Sequence, residues 1–66
     1  MKNNINVERA IKKVTQQQLA DIVGVSRQTI HAVESGKYIP STVLALKIAR
    51  FFEKQLEDIF QLEDVD

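Results

Sequence analysis

The side chains that could carry covalent or metal chemistry in this chain are few and scattered. There is no cysteine, so thiolate nucleophiles, disulfide staples and thiolate metal sites are all excluded. His31 is the one histidine, and without a second imidazole or any thiolate it reads as an exposed residue near the backbone, not a metal ligand. Glu57, Asp58, Glu63 and Asp64 offer paired carboxylates, but they stand beside the chain end with no cleft to raise a pKa, so a solvated acidic face is expected. No hydroxyl is set beside a base. An enzyme is therefore not expected, and no metal or cofactor is implied. The polar run that remains is Arg27-Gln28-Thr29, a guanidinium fork, an amide and a methyl-bearing hydroxyl in succession. What those three can do depends on the element that holds them.

Sixty-six residues, 44% hydrophobic and 27% charged, suit one small domain spanning residues 1 to 66, since a chain this short cannot build two separate cores. The longest apolar runs, such as Val43 to Leu46, fall far short of the roughly 20 residues a membrane span requires. Met1 to Asn6 carries only Lys2 and no apolar segment behind it, unlike a secretory signal, so no membrane partner and a cytoplasmic location are expected. Net charge is zero, but it is unevenly spread. Residues 1 to 40 carry six basic and three acidic side chains, whereas residues 41 to 66 carry three basic and six acidic. One face could meet a polyanion while the other is turned away.

Helix formers dominate, and the apolar spacing follows a period near 3.6. Val7, Ala10, Ile11 and Val14 stack on one face of a first helix from about Asn4 to Lys13, with Glu8, Lys12 and Lys13 outside. Thr15 reads as the N-cap of a second, with Gln18 completing a capping box and Leu19, Ile22 and Val23 on its inner side. Gly24 supplies the left-handed residue that stops it. Ser26 caps a third helix through Ile30 and Val33 to about Ser35, stopped by Gly36. Ile39 is held extended before Pro40, and Ser41 opens a fourth helix, apolar around much of its circumference and so expected at the centre of a bundle. Its free amides could form an anion site. Leu56, Ile59 and Phe60 make a final short turn, and residues 63 to 66 are expected to fray.

Two helices joined by Gly24-Val25-Ser26 cannot lie antiparallel, so residues 16 to 35 form a helix-turn-helix. Ala20 is small where the two helices come closest. The run TQQQLADIVGVSRQTIHAVESGKYIPS, followed by LALKIARFF and LEDIF, resembles the Cro and repressor type of regulator, the Xre family, and in particular its short stand-alone members. The likeness covers about residues 5 to 62. It implies an all-α, compact five-helix bundle of the phage-repressor DNA-binding type, with residues 27 to 35 as a recognition helix in the major groove.

By that resemblance Arg27, Gln28 and Thr29 read bases, and Ala32, one turn on, can add only an apolar contact. The side-chain chemistry agrees, since arginine can grip guanine O6 and N7, glutamine can bridge adenine N6 and N7, and a threonine methyl can touch that of thymine. The family's phosphate-holding positions fall on Gln16, Ser35 and Lys37 here, beside the amides behind Ser41. Lys37 suits a solvated loop equally well, and Tyr38 reads as a packing residue. An arginine in the first helix of relatives meets a glutamate ending the recognition helix, which implies a pair between Arg9 and Glu34.

Two positions depart from the family pattern. Glu53 stands where glycine is common, so it must take a left-handed conformation or end the helix differently. Glu8 stands where leucine is common, and Val7 beside it suggests a slightly rotated first helix. The implied function is a regulator, as a repressor, binding double-stranded DNA as a homodimer, because one recognition helix reads too few base pairs for genomic selectivity. Leu56, Phe60 and Leu62 are the candidates for the dimer contact, unless Leu56 and Phe60 close the core instead. The alternative is an antitoxin or anti-repressor whose main partner is another protein.

Overall fold

A computed structural model describes all 66 residues. Five helices and two short strands follow one another as β1 (Lys2–Asn3), α1 (Ile5–Lys12), α2 (Gln16–Val23), α3 (Arg27–Glu34), α4 (Thr42–Phe52), α5 (Leu56–Ile59) and β2 (Phe60–Gln61). The expected helices are present, with their caps. Thr15 and Gln18 exchange both bonds of a capping box, and the Ser26 and Ser41 hydroxyls accept from the amides of Thr29 and Leu44. Gly24, at φ 79°, turns the chain between α2 and α3, a conformation that costs glycine nothing. Each cap satisfies an amide with no partner in its own helix.

Thirteen buried apolar side chains form one core, with Leu19, Ile30, Ile48 and Ile59 wholly enclosed. α4 supplies Leu44, Ala45, Ile48, Ala49 and Phe52 from one side. It is the central element, as its composition implies, but it is not buried all round. Val43 is 63% exposed and Leu46 51%. Tyr38, expected to pack, is half exposed.

Two expectations are corrected. The chain is not purely helical, because β1 and β2 pair antiparallel with Lys2 opposite Gln61 and Asn3 opposite Phe60. Two-residue strands carry no periodicity from which they could be read. The end of the chain makes contacts of its own. The Met1 ammonium lies 3.0 Å from Glu63 Oε1 and 3.1 Å from Asp66 Oδ2, while the Glu63 amide donates to Asp66 at 2.8 Å.

The second correction concerns the face of α1. Val7 and Ile11 point outward, whereas Ile5 is fully buried and Glu8 and Arg9 are half-buried. Positions 5, 8, 9 and 12 share one helical face, and each is anchored or drawn in. Arg9 pairs with Glu34, and the Lys12 ammonium lies 5.1 Å from the centre of the Phe51 ring. With Ile5 buried and Arg9 paired, this two-turn helix leaves Val7, Ala10 and Ile11 exposed, while Val14, beyond its end, is half-buried.

Candidate nucleic-acid interface

α2 and α3 pack against each other more closely than any other pair of helices, joined by Gly24, Val25 and Ser26. α3 buries Ile30 and Val33, so the opposite side of its helical wheel, centred on Gln28, His31 and Ala32, is turned away from the core. Arg27, Gln28 and His31 are exposed, Ala32 half-buried. Neither Arg27 nor Gln28 spends its side chain on an internal hydrogen bond. They stand in the first turn of a capped helix with donors and acceptors free, as base-edge recognition requires.

Thr29 is placed differently from its two neighbours. It is half-buried, and its hydroxyl lies 3.0 Å from the Ser26 hydroxyl, which also accepts its amide at 3.2 Å. The pair reinforces the N-cap, leaving only the methyl free for contact. His31 shares the exposed side of α3 one turn after Arg27. The i, i+4 spacing was the signal for it. No cluster of groups able to hold a metal ion is present.

The residues expected near phosphate fall into two sets. Lys37 is exposed and outside every ion pair. Its amide and that of Tyr38 both donate to Ala32 O, at 3.0 and 3.2 Å, which folds the loop back against the end of α3. Gln16, Ser35 and Ser41 have internal uses. Gln16 Nε2 donates to Glu34 at 3.4 Å, Ser35 Oγ to Ala32 O at 3.1 Å, and Ser41 Oγ accepts from Leu44. What α2 and α4 offer an anion is therefore backbone, the first two amides of each helix having no partner within it.

Beneath this surface lies the expected pair. Arg9 Nε and Nη2 reach the two Glu34 carboxylate oxygens at 2.7 and 3.0 Å, and Nη1 donates to Val14 O at 3.1 Å. The bonds to Glu34 raise the arginine pKa above its ordinary value, against a smaller opposing effect of burial. With Gln16 also on Glu34, one carboxylate ties α1, α2 and α3 together. A forked pair of this kind fixes orientation as well as distance.

The helix-turn-helix family profile matches residues 4–59. Over 64 residues, 97% of either chain, the sequence is 56% identical to an uncharacterized HTH-type transcriptional regulator of Methanocaldococcus jannaschii. It is 47% identical, at the same coverage, to an uncharacterized HTH-type transcriptional regulator of Bacillus subtilis. Among solved structures, the SOS-response transcriptional repressor LexA of Eubacterium rectale superposes with a TM-score of 0.81 at 27% identity, over 96% of this chain and 67% of that one.

Proposed function

The chain belongs to the helix-turn-helix family, and from that membership and the outward side of α3 we propose that it is a transcriptional regulator, a repressor, that binds double-stranded DNA by sequence. The observation that carries the reading is the pair Arg27 and Gln28, exposed and free of internal bonds at the start of a capped helix. Arg27 and Gln28 read base edges in the major groove, the Thr29 methyl and Ala32 add apolar contacts, and His31 lies along the same face. Lys37 and the first amides of α2 and α4, behind Gln16 and Ser41, hold phosphates, with Ser35 at the edge of that surface. Two copies bind together, since one recognition helix covers too few base pairs for selectivity in a genome.

Selecting bound duplexes from a random DNA pool tests this directly. Enrichment of a two-fold symmetric site is the expected result. Failure to enrich any sequence, with capture of a protein partner instead, would transfer the assignment to an antitoxin or anti-repressor. The acidic C-terminal third of the chain is the feature that favours that second reading.

A further inference from the structure

The C-terminal end of α3 is held by a side chain from near the start of the sequence. The last carbonyls of a helix have no partner within it. In α3, His31 O is met by the amide of Ser35, and Ala32 O by those of Lys37 and Tyr38. Val33 O accepts from the Gly36 amide at 3.1 Å and also from Asn3 Nδ2 at 3.0 Å. Glu34 O accepts from Asn3 Nδ2 alone, at 3.4 Å. The other end of the same side chain is also engaged, Asn3 Oδ1 accepting from the Ile5 amide at 3.2 Å where α1 begins. A backbone amide only donates and a carbonyl only accepts, so a single orientation of the asparagine serves both partners.

Asn3 is itself fixed in place. It is half-buried, and it pairs in the sheet with Phe60, a core residue at 7% exposure. The next residue bonds twice to α5, Asn4 N to Ile59 O at 2.9 Å and Asn4 Nδ2 to Asp58 O at 3.0 Å. The last turn of α3 is thus gripped at two places, by Arg9 at the Glu34 carboxylate and by Asn3 at the carbonyls. The first grip ends on a rotatable side chain. The second holds the backbone of the helix.

We propose that Asn3 is a positioning residue for base reading, setting the angle at which α3 presents Arg27 and Gln28. The inference deepens the functional reading above and rests on it for what α3 touches. α3 has eight residues with Ile30 and Val33 as its buried contacts, and so is a rod of about 12 Å. A rod this short can rock about Ile30 unless its far end is held, and a shift at Glu34 returns with opposite sense at Arg27. Paired contacts to a base edge require placement within about 0.5 Å. An ammonium at a phosphate acts as a point charge and tolerates such a shift. Releasing the end of α3 therefore removes discrimination between sequences and leaves sequence-independent affinity in place.

Titration of the whole chain against its selected duplex and a scrambled one tests the assignment, with thermal melting to follow folding. Asn3→Asp keeps the acceptor for Ile5 and loses the donor, whereas Asn3→Ala loses both and brings no charge to the helix end. Each should lower affinity for the selected duplex about ten-fold, the scale of one loosened base contact, and for the scrambled duplex less than about two-fold. Asn4→Ala removes a 3.0 Å bond from the same seam without touching α3, and should keep the wild-type ratio. Residual dipolar couplings of the free protein should show α3 turned relative to α4 in both Asn3 variants and unmoved in Asn4→Ala.

Undiminished discrimination in both Asn3 variants overturns the proposal. So do an equal loss on the two duplexes, a ratio eroded as much by Asn4→Ala, couplings that leave α3 unmoved, or unfolding of both Asn3 variants, which would make the residue a support of stability only. A wild type that binds no duplex, with α3 turned as expected in the variants, overturns the functional reading and leaves the hold of Asn3 on α3 standing.

Discussion

Arg27 and Lys37 are both exposed cations, but they act on different parts of a duplex. A guanidinium in the first turn of α3 that grips a guanine discriminates between sequences, whereas a loop ammonium at a phosphate holds all sequences equally. Arg27→Ala should cost about 1 to 3 kcal/mol per half-site and relax the preference at one base pair, while Lys37→Ala should weaken every duplex alike and flatten the salt dependence. Titrating both variants against the selected site and a scrambled duplex gives the contrast, and undiminished discrimination in Arg27→Ala would remove α3 from the groove. Glu34 makes a different kind of contribution. Its side chain is 9% exposed and Arg9's is 19%, so Glu34→Ala strands a partly desolvated guanidinium and releases Gln16 as well. A loss of about 3 kcal/mol is expected, a large share of the stability of so small a domain. Thermal melting checks it, and a wild-type melting temperature would mean the pair is worth no more than a surface contact.

At the scale of the elements, two helix ends depart from glycine. Glu53 and Lys13 close α4 and α1 at φ 57° and 58°, each with its amide bonded back into the last turn. A left-handed conformation costs a residue with a Cβ about 1 kcal/mol. Glu53→Gly should therefore raise stability by about 1 kcal/mol in chemical denaturation, since the Lys12 contact it gives up is 3.9 Å long and the Glu53 side chain is 84% exposed. A destabilised Glu53→Gly would show that the α4–α5 junction carries no strain.

Beyond the strand pair, charges link the two ends of the chain. Hydrogen bonds to Glu63 first, and then to Asp66, raise the Met1 amine above its ordinary 8.0. The Glu63 amide first, and then the Met1 amine, lower Asp66 below 3.8. A raised amine contributes fully below its unfolded pKa and loses that contribution as pH climbs through the folded one. The lowered Asp66 contributes above its unfolded pKa and loses it as pH falls through the folded one. The clamp should thus be intact between about pH 4 and 8 and released above the raised amine pKa with the helices still folded. Backbone order parameters for residues 62 to 66 that did not fall in alkali would contradict this.

For the molecule as a whole, zero net charge says little about how it meets a polyanion. Charge placed at the contact sets the response to salt. If each copy neutralises about three phosphates, two copies on one site should give a log-log slope of affinity against salt near −5. A slope near zero would mean that the basic half of the chain does not face the duplex.

What this sequence determines alone is whatever depends on near neighbours. Caps at Thr15, Ser26 and Ser41, left-handed residues at Gly24 and Gly36, and the short joint between α2 and α3 follow from interactions within a few positions, and all are legible. The likeness to the Xre family added the Arg9–Glu34 pair, which spacing cannot reach across 25 residues. The tertiary structure decided what several neighbours compete for. Val7, Ala10, Ile11 and Val14 form a good apolar stripe, but a stripe does not record that Arg9 has a fixed partner on another helix. Thr29 matches the groove-reading residue types, yet which way its hydroxyl turns was settled by Ser26 beside it. The two strands and the tethered tail exist only because folding brings residues 1 to 4 against residues 58 to 66, a closeness no local pattern encodes.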